Sequence, residues 1–513
     1  MYSCVRSSAV LGVDAYIVQV ETDLEYRLPS LTTVGLAEGA VKESKERITS
    51  AIKNSSFVFP QKKITINLAP ADIRKEGSAF DLPMAVGILA ADGLISPQVL
   101  EEYVLLGELS LDGSLRHVRG VLPITLAVRD AGFKGIIVPD GDADEAALVD
   151  NINVYPAKHL KQVVDFLSGR ISIDNHARSN ISSLLTQKYN DVDFCEVKGQ
   201  MHVKRALEIA AAGSHNVLMI GPPGSGKTML ARRIPGILPE MTIDEALETT
   251  KIHSVAGILR GGDPLVVERS FRDPHHTISE VALIGGGIYP RPGEVSMAHN
   301  GVLFLDELPE LGKRNIETLR QPLEDGRVTI SRASYAVTFP ASFMLVTAMN
   351  PCPCGYLTDP LHECSCSPVA IQRYMAKVSG PILDRIDIHV EVPSVKYRDL
   401  ADKSESGETS QDIRKRVKRA REIQKLRYHT CKGIHANAHI GPRLIKEFCR
   451  LDEDGERILQ RSIESFGFSA RAYHRILKVS RTIADLEGEE NILARHVSEA
   501  VQYRTLDRNL WMR

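Results

Sequence analysis

The sequence predicts a multi-domain α/β protein in three parts: an α/β domain over residues 1–167, a second over 193–393 and a helical domain over 411–513. Short β-rich runs alternate with helical patterns in the first two parts, and only helical patterns follow. Two polar stretches without a lasting hydrophobic period, 168–192 and 394–410, separate the parts as a linker and a loop. A chain of 513 residues is long enough for about three domains with separate cores.

The composition excludes several classes of protein. Apolar residues make up 43% and charged residues 25%, which is typical of globular proteins rather than disordered or fibrous ones. The 63 Lys and Arg are balanced by 65 Asp and Glu, so nucleic acid has to be bound by local basic patches. No run of about 18 apolar residues and no basic start before an apolar segment is present, so we expect a cytoplasmic protein without a membrane partner. We expect the eight cysteines to be reduced thiols or metal ligands.

The first domain is predicted from β-branched runs and helical patterns that end at clear stops. Ile64–Leu68 and Ile136–Val138 are predicted strands, each followed by a proline soon after. Asp81–Ala91 and Val121–Ala131 are predicted helices, each followed by a glycine within two residues. Asn151–Tyr155 is a further candidate strand.

A glycine-rich loop in the second domain has the pattern G-x-x-x-x-G-K-T. It follows the apolar run Val217–Ile220 and precedes a helical pattern, which is the strand–loop–helix context that a phosphate-binding loop needs. Glycines let successive backbone N–H groups point at phosphate oxygens. Lys227 is predicted to contact the β- and γ-phosphates of ATP, and the Thr228 hydroxyl to ligate Mg²⁺. The predicted nucleotide-binding residues are Gly221, Pro222, Pro223, Gly224, Ser225, Gly226, Lys227 and Thr228.

Polar side chains end two further predicted strands. Asp306 and Glu307 follow the apolar run Gly301–Leu305, and Asn350 follows Phe343–Met349. We predict that Asp306 holds Mg²⁺ through water, that Glu307 is the general base for an attacking water, and that Asn350 orients this water. The alternatives are an acidic pair that caps the next helix and an asparagine that forms a turn.

These strand ends, in this order, resemble those of the AAA+ ATPases, in particular the magnesium-chelatase-like branch. The motifs that resemble the YifB/ComM family are Arg272-Asp-Pro-His-His-Thr, Gly285-Gly-Gly, the run from Gly293 to Pro309, Ala348-Met-Asn-Pro-Cys-Pro-Cys-Gly-Tyr and Gly380-Pro-Ile-Leu-Asp-Arg-Ile-Asp. The resemblance covers nearly the whole chain and implies a homo-hexameric ring. ComM proteins of this family are hexameric DNA motors that drive branch migration during natural transformation.

In such a ring, the resemblance implies that one subunit completes the site of its neighbour. Arg385 is similar in position to the arginine finger, which neutralises charge on the γ-phosphate in trans. Arg471 is similar to the sensor-2 arginine, which contacts the nucleotide from the helical lid. The alternatives are a surface cluster around Arg385 and an ordinary arginine on a helix face.

Two segments resemble family insertions that face DNA. Ile284–Gly293 is similar to the helix-2 insertion and is too rich in glycine and proline for a regular element. Gly326–Phe339 alternates like a hairpin and is similar to the pre-sensor-1 hairpin, so Arg332 and secondly Arg327 are predicted to bind DNA phosphates. The alternative is that they contact only water. A basic helix over 413–427 either joins core and lid or adds to a DNA-binding surface. Its predicted apolar face comprises Ile413, Val417, Ala420, Ile423 and Leu426.

Four cysteines cluster within residues 352–366. Their number and spacing in a cytoplasmic chain predict a structural Zn²⁺ site, with reduced free thiols as the alternative. His362 is an alternative ligand. The predicted ligands are Cys352, Cys354, Cys364 and Cys366.

The first domain resembles the proteolytic domain of Lon proteases, which use a serine and a lysine. Aligned without gaps, the position of the serine is Ala79, with Ser78 one place early, and the position of the lysine is Leu122. We therefore predict an inactive protease fold that binds a protein partner or supports assembly. The segments that carry the resemblance are Lys75–Met84, Gly107–Leu115 and Arg129–Pro139.

Together, these observations predict ATP hydrolysis by a ring that moves along single-stranded or branched DNA, with DNA-stimulated helicase or translocase activity. Two alternatives stay open at this point. One is a magnesium-chelatase motor that inserts Mg²⁺ into a porphyrin with partner subunits. The other is a regulatory ATPase that remodels proteins.

Overall fold

A computed structural model describes residues 1–35, 39–71, 77–177, 192–259, 263–287, 289–332, 335–357, 359–394, 407–431 and 433–506. The chain divides into two compact units. The first comprises Met1–Thr186, Thr242–Val267 and Ser331–Phe339, and the second comprises Gln187–Met241, Glu268–Ile330 and Pro340–Arg513. Within the described part of the chain, no helix is both long and apolar enough to cross a membrane.

The first unit is built on a mixed seven-stranded sheet. The strand order is Ser30–Val34, Lys63–Ala69, Asp14–Glu25, Tyr2–Leu11, Tyr103–Leu105, Gly135–Pro139 and Asn153–Ala157. Alternate residues of Lys63–Ala69 are buried, because one face of this strand covers the core. Its helices are Gly39–Asn54, Asp81–Ala91, Pro97–Leu100, Val121–Asp130, Ala143–Ala146, Leu160–Leu167 and Ile243–Ala256, and a small second sheet pairs Glu108–Leu109 with Leu115–Arg116.

The predicted elements of the first unit match the structure closely. The predicted strands Ile64–Leu68 and Ile136–Val138 lie inside observed strands, and both predicted helices are present. The last strand was misplaced by two residues, since it begins at Asn153. Asn151 has a φ of 60°, a left-handed conformation that belongs to a turn rather than a strand.

The second unit contains a five-stranded sheet whose neighbouring strands are all parallel. The order is Phe271–Arg272, Val302–Leu305, Met344–Met349, Val217–Ile220 and Ile388–Glu391. The three middle strands are buried along their whole length, which explains why they are apolar in the sequence except at Thr347, whose hydroxyl donates to the Val217 carbonyl oxygen. The predicted α/β fold with a parallel sheet is confirmed.

One group of helices precedes and connects these strands, and a second, C-terminal group follows them. The first group is Met201–Gly213, Lys227–Ala231, Glu280–Ile284, Glu294–Met297, Lys313–Thr318, Arg320–Asp325, Pro368–Met375 and Gly380–Leu383. The C-terminal group is Ser410–Arg427, Pro442–Phe448, Glu453–Phe466, Ala470–Glu487 and Ala494–Gln502. Single 3₁₀ turns occur at Ser78–Phe80, Asp140–Asp142, Phe194–Glu196, Ile234–Ile237, Leu308–Glu310 and Asn437–His439.

Two details of the second unit correct the sequence analysis. Gly285–Gly286 and Arg291–Pro292 pair as a short antiparallel ribbon, although this segment was predicted to lack regular structure. A Cβ on Gly285 would come 2.5 Å from the Arg291 carbonyl oxygen, so the glycine makes this pairing possible. On the helix Ser410–Arg427, Leu426 is 75% exposed and Gln424 is buried instead.

The C-terminal helices enclose a buried ionic network, which predicts the effect of one substitution on stability. Asp485 is fully buried and pairs with Arg427 and Arg481. We expect Asp485→Ala to lower the stability of the second unit by about 3–5 kcal/mol, because it leaves two guanidinium groups without their carboxylate. Urea unfolding followed by circular dichroism measures the change. Asp454→Ala, which breaks an exposed pair with Arg457, is the matched control and should cost at most about 1 kcal/mol; equal losses in the two variants would contradict the prediction.

Candidate nucleotide-binding site

Three strands of the parallel sheet end at the same edge and bring the predicted site residues together. The phosphate loop follows Val217–Ile220, Asp306 follows Val302–Leu305, and Asn350 follows Met344–Met349. Met344–Met349 lies between the other two strands in the sheet. Asn350 is therefore placed between the loop and the acidic strand end, which the sequence alone did not establish.

The loop between strand and helix has the backbone that a phosphate cradle requires. Gly224 and Gly226 have φ values of 74° and 89°, a region that glycine adopts without strain. A Cβ on Gly221 would collide with the carbonyl oxygen of Val392 on the neighbouring chain segment. The glycines of the motif are therefore explained by local geometry as well as by phosphate binding.

Lys227 is buried at the centre of this loop. Its Nζ donates to the carbonyl oxygens of Gly221 at 2.8 Å and Pro222 at 2.9 Å, and lies 3.2 Å from Asn350 Oδ1. Burial lowers the pKa of Lys227 to about 8, against the opposing effect of Asp306 and Glu307. Carbonyl groups carry no net charge, so an anionic phosphate is a better partner for this ammonium than its present ones.

Thr228 and Asp306 are in direct contact. Thr228 Oγ1 donates to Asp306 Oδ2 at 2.7 Å, and Asp306 Oδ1 accepts from the Glu307 backbone N–H at 2.9 Å. A hydroxyl and a carboxylate oxygen beside a phosphate loop are the hard donors that Mg²⁺ prefers. These two residues therefore fit the predicted magnesium site.

Glu307 has a neighbour that the sequence analysis did not identify. His276 Nδ1 lies 3.2 Å from Glu307 Oε2. The Glu307 side chain is 52% exposed, and its φ of 50° turns the chain sharply at the strand end. The available signal was the motif that begins at Arg272, which was noted without a role.

The segment that carries His276 is fixed by two ion pairs. Arg272 binds Glu294 through two hydrogen bonds of 2.6 and 2.8 Å. Asp273 lies 3.4 Å from Arg232, which follows the helix of the phosphate loop. Two contacts therefore position His276. One is the pairing of the strand Phe271–Arg272 beside Val302–Leu305, and the other is the ion pair of Asp273 with Arg232.

The two predicted ring arginines lie together. Arg385 is largely buried, donates to the Pro381 carbonyl oxygen at 2.8 Å and pairs with Glu324. Arg471 is exposed and lies 3.7 Å from Asp384. The hydrogen bond with Arg385 lowers the pKa of Glu324, and the charge of Arg471 contributes.

The chain around Arg385 is not a surface cluster, because Asp387 is buried. Burial alone would raise the pKa of Asp387, but Arg475 and His215 outweigh it and hold this pKa well below its usual range. Arg475, on the helix Ala470–Glu487, lies 2.9 Å from Asp387. The helix that carries Arg471 is therefore fixed to the segment that carries Arg385.

The four predicted cysteine ligands converge. The Sγ of Cys352 lies 3.7 Å from that of Cys364 and 3.3 Å from that of Cys354, and Cys354 and Cys364 are 3.6 Å apart. When Cys366 is included, all four Sγ atoms lie within 4.8 Å of one another. His362 binds Asp359 at 2.9 Å and is not part of the group.

The predicted DNA contacts remain predictions. Arg327 is exposed at the start of the strand Arg327–Arg332, which pairs with Tyr335–Pro340 in a two-stranded sheet. Arg332 ends this strand, and its side chain lies outside the described residues. On the basic helix, Arg416 pairs with Glu208 and Glu408. Lys418 and Arg427 also pair with acidic residues, which favours the joining role of this helix over DNA binding.

In the first unit, Ser78 is bonded to a carboxylate. Its hydroxyl contacts the side chain of Glu108. Leu122, at the position of the Lon lysine, is buried, and its backbone N–H donates a hydrogen bond to the Glu145 carboxylate. The Lon proteases pair their serine with a lysine, and the carboxylate of Glu108 is a different partner for Ser78. The lack of proteolysis therefore stays a prediction.

Comparison with known proteins covers the whole chain. Residues 193–400 match the family model described as "Magnesium chelatase, subunit ChlI", residues 20–142 match "Subunit ChlI of Mg-chelatase", and residues 407–504 match "Magnesium chelatase, subunit ChlI C-terminal". The chain is 45% identical to competence protein ComM of Haemophilus influenzae over 99% of this chain and 98% of that protein. It is 43% identical to YifB of Escherichia coli over the same shares. Identity to the magnesium-chelatase 67 kDa subunit of Chlorobaculum parvum is 27% over 31% of this chain and 23% of that protein.

The phosphate loop, the acidic strand end and these matches define an AAA+ ATPase of the magnesium-chelatase type. Within this class, the chain belongs to the ComM/YifB family. The resemblance predicted from the sequence motifs is confirmed.

The pKa of Lys227 predicts how nucleotide affinity depends on pH. Phosphate binding favours the protonated ammonium, so ADP affinity should be constant below about pH 8 and fall above it, by at most tenfold per pH unit. Calorimetric titration in two buffers of different ionisation enthalpy should show proton uptake on binding above pH 8. Lys227→Arg, which stays charged, is the control and should bind without proton uptake. An affinity independent of pH from 7 to about 10 in the wild type would contradict the assignment.

Proposed function

We propose that the chain is a cytoplasmic, ATP-hydrolysing ring motor that moves along single-stranded or branched DNA. The observation that carries the ATPase part is the contact of Thr228 with Asp306 beside the buried Lys227. The DNA part is supported by identity over nearly the full length to a relative named a competence protein. It is also supported by the resemblance to family members that act in branch migration.

The reaction is the transfer of the γ-phosphoryl group of ATP to water. Lys227 and the loop N–H groups bind the phosphates, and Thr228 and Asp306 would hold Mg²⁺, Thr228 through its hydroxyl and Asp306 through water. Mg²⁺ bound there neutralises charge on the β- and γ-phosphates. Glu307 accepts a proton as the water oxygen attacks the γ-phosphorus, the bond to the bridging oxygen breaks, and ADP and phosphate leave.

Asn350 and His276 orient the groups that react. Asn350 Oδ1 is within hydrogen-bonding reach of Lys227, so its amide is directed at the phosphate side of the site. His276 holds one carboxylate oxygen of Glu307 and leaves the other for the attacking water. Both are positioning roles, since neither side chain takes part in the bond changes.

A neighbouring subunit completes the site. Arg385 and Arg471 are proposed to act together across the subunit boundary, because Arg385 pairs with Glu324 and Arg471 pairs with Asp384, the residue before Arg385 in the chain. A guanidinium that reaches a neighbour's γ-phosphate increases hydrolysis by about 10³–10⁵ in other NTPases. The pairs with Glu324 and Asp384 hold the two side chains until the neighbour's nucleotide competes for them.

The cysteine cluster is proposed to hold a structural Zn²⁺. Zinc–sulfur bonds of about 2.3 Å in a tetrahedral site put sulfur atoms about 3.8 Å apart, whereas a disulfide needs about 2.0 Å. The distances of 3.6 and 3.7 Å from Cys364 to Cys354 and Cys352 match the metal site. Four cysteine ligands favour zinc over the hard cations.

DNA is proposed to contact the hairpin arginines Arg327 and Arg332 of each subunit. Such contacts with phosphates, repeated around a ring, bind the DNA backbone without selecting a sequence. The first unit is proposed to bind a partner protein or to support assembly rather than to cleave peptides. A chelatase motor is less well supported, since ComM and YifB are 45% and 43% identical over 99% of the chain, whereas the 67 kDa chelatase subunit is 27% identical over 31%.

Mixing two inactive variants tests the shared site. We expect Arg385→Ala to lower kcat by about 10³ or more, since the developing charge on the γ-phosphate loses its partner. Mixed rings of Arg385→Ala and Lys227→Ala should recover part of the ATPase activity, because some boundaries then combine an intact loop with an intact finger. Arg457→Ala, an exposed arginine outside the site, should retain wild-type activity alone. Absence of recovery in rings shown to be mixed would contradict action in trans.

Branched DNA tests the motor. Purified protein with ATP and Mg²⁺ should separate the strands of a fork and move a Holliday junction, whereas Lys227→Ala should do neither because it cannot bind ATP productively. DNA should stimulate the ATPase, and Arg332→Ala should remove this stimulation while basal hydrolysis continues. The motor proposal fails if wild type and Lys227→Ala process DNA alike, or if DNA leaves hydrolysis unchanged.

A further inference from the structure

The segment that carries the four cysteines contacts the nucleotide site. Gly355, between the second and third cysteines, has a φ of 88°. A Cβ at this position would come 2.5 Å from Pro223 Cδ and 2.7 Å from Pro223 Cγ, so only glycine fits against the phosphate loop. The cysteine segment therefore forms part of the wall that holds the loop in place.

A second connection runs through Asn350. This residue lies two positions before Cys352, and its Oδ1 is 3.2 Å from Lys227 Nζ. Burial raises the pKa of Tyr374 to about 12, against the opposing effect of the Asn350 backbone nearby, and the helix Pro368–Met375 that carries Tyr374 begins two residues after Cys366. The chain thus leaves the nucleotide site at Asn350, passes through all four cysteines and returns to Asn350.

The protein itself supplies little to hold this segment. Cys352 and Gly355 are buried, but most of the described residues from 356 to 367 are exposed or half-buried, and Leu361 is 72% exposed. A segment with so few buried apolar contacts is ordered chiefly by whatever joins its polar groups. Four converging thiolates repel one another unless a cation binds them, so a bound metal ion would be the main source of this order.

We propose that Zn²⁺ at the four cysteines and nucleotide at the phosphate loop bind with positive coupling. This inference rests on the zinc site and the nucleotide site proposed above, and adds that each ligand orders the walls of the other's site. Metal binding fixes Gly355 against Pro223 and Asn350 beside Lys227, which is the arrangement that nucleotide requires. Thermodynamic linkage demands that both affinities change by the same factor, which is typically about 5- to 150-fold for coupled sites.

The test measures both sides of this linkage. A zinc-selective chelator strips the full-length protein, and the Kd of a fluorescent ADP analogue is compared between stripped and zinc-loaded samples in Mg²⁺ buffer. Separately, the zinc Kd is measured in competition with a chromogenic chelator, with and without ADP. We expect one zinc per chain, weaker ADP binding after stripping, and an equal weakening of zinc binding when ADP is left out. Cys431→Ser, a thiol outside the cluster, should leave both Kd values unchanged.

A second variant keeps the inference testable if the stripped protein aggregates. Tyr374→Phe retains all four thiols but removes the hydroxyl near the Asn350 backbone, so it should keep one zinc per chain and show a smaller coupling factor. Absence of bound zinc, unchanged ADP affinity after stripping, or an undiminished factor in Tyr374→Phe would overturn the inference. None of these results would remove the proposed ATPase, which fails separately if Lys227→Ala binds and hydrolyses ATP like the wild type.

Discussion

The parallel pairing of three buried strands is the constraint on which the nucleotide site depends. Val217–Ile220, Met344–Met349 and Val302–Leu305 are apolar on both faces, so burial stabilises their order and register. A slip of one residue moves a strand end by about 3.3 Å. Such a shift exceeds the tolerance of the 2.7 Å hydrogen bond between Thr228 and Asp306. The chemistry at this edge therefore depends on a core that contains no reacting group.

Buried and partly exposed carboxylates of the second unit differ in the arginines with which they pair. Asp387 and Asp485 are buried with arginine partners from the C-terminal helices, which fixes these helices to the sheet. Arg385 and Arg471 instead pair with carboxylates that are partly exposed. Arg471 is itself exposed, so its pair with Asp384 is worth little, and a competing phosphate can replace this carboxylate at low cost. The C-terminal helices and the sheet thus remain joined, while Arg385 and Arg471 are proposed to exchange these carboxylates for a phosphate of the neighbouring subunit.

The sequence predicted those features that depend on residues close together in the chain. The phosphate loop, the strands beside it and the cysteine group follow from local spacing, and the structure brings these residues together. His276 was missed because it is far from Glu307 in the chain, and their contact requires Phe271–Arg272 to pair beside Val302–Leu305. Gln424 was missed because an amide is not expected in a core. It is tolerated there since its side chain bonds the Ala212 carbonyl oxygen and the Asn437 N–H.

The division of the chain also has a consequence for biosynthesis. The helix Ile243–Ala256 belongs to the first unit, although it follows the phosphate loop in the chain, and the chain passes between the two units five times. The first unit therefore lacks its segments Thr242–Val267 and Ser331–Phe339 until residue 339 has left the ribosome. All seven strands of its sheet lie within residues 2–157, so this sheet can form during synthesis before the helix Ile243–Ala256 and the residues up to 339 are added to the unit.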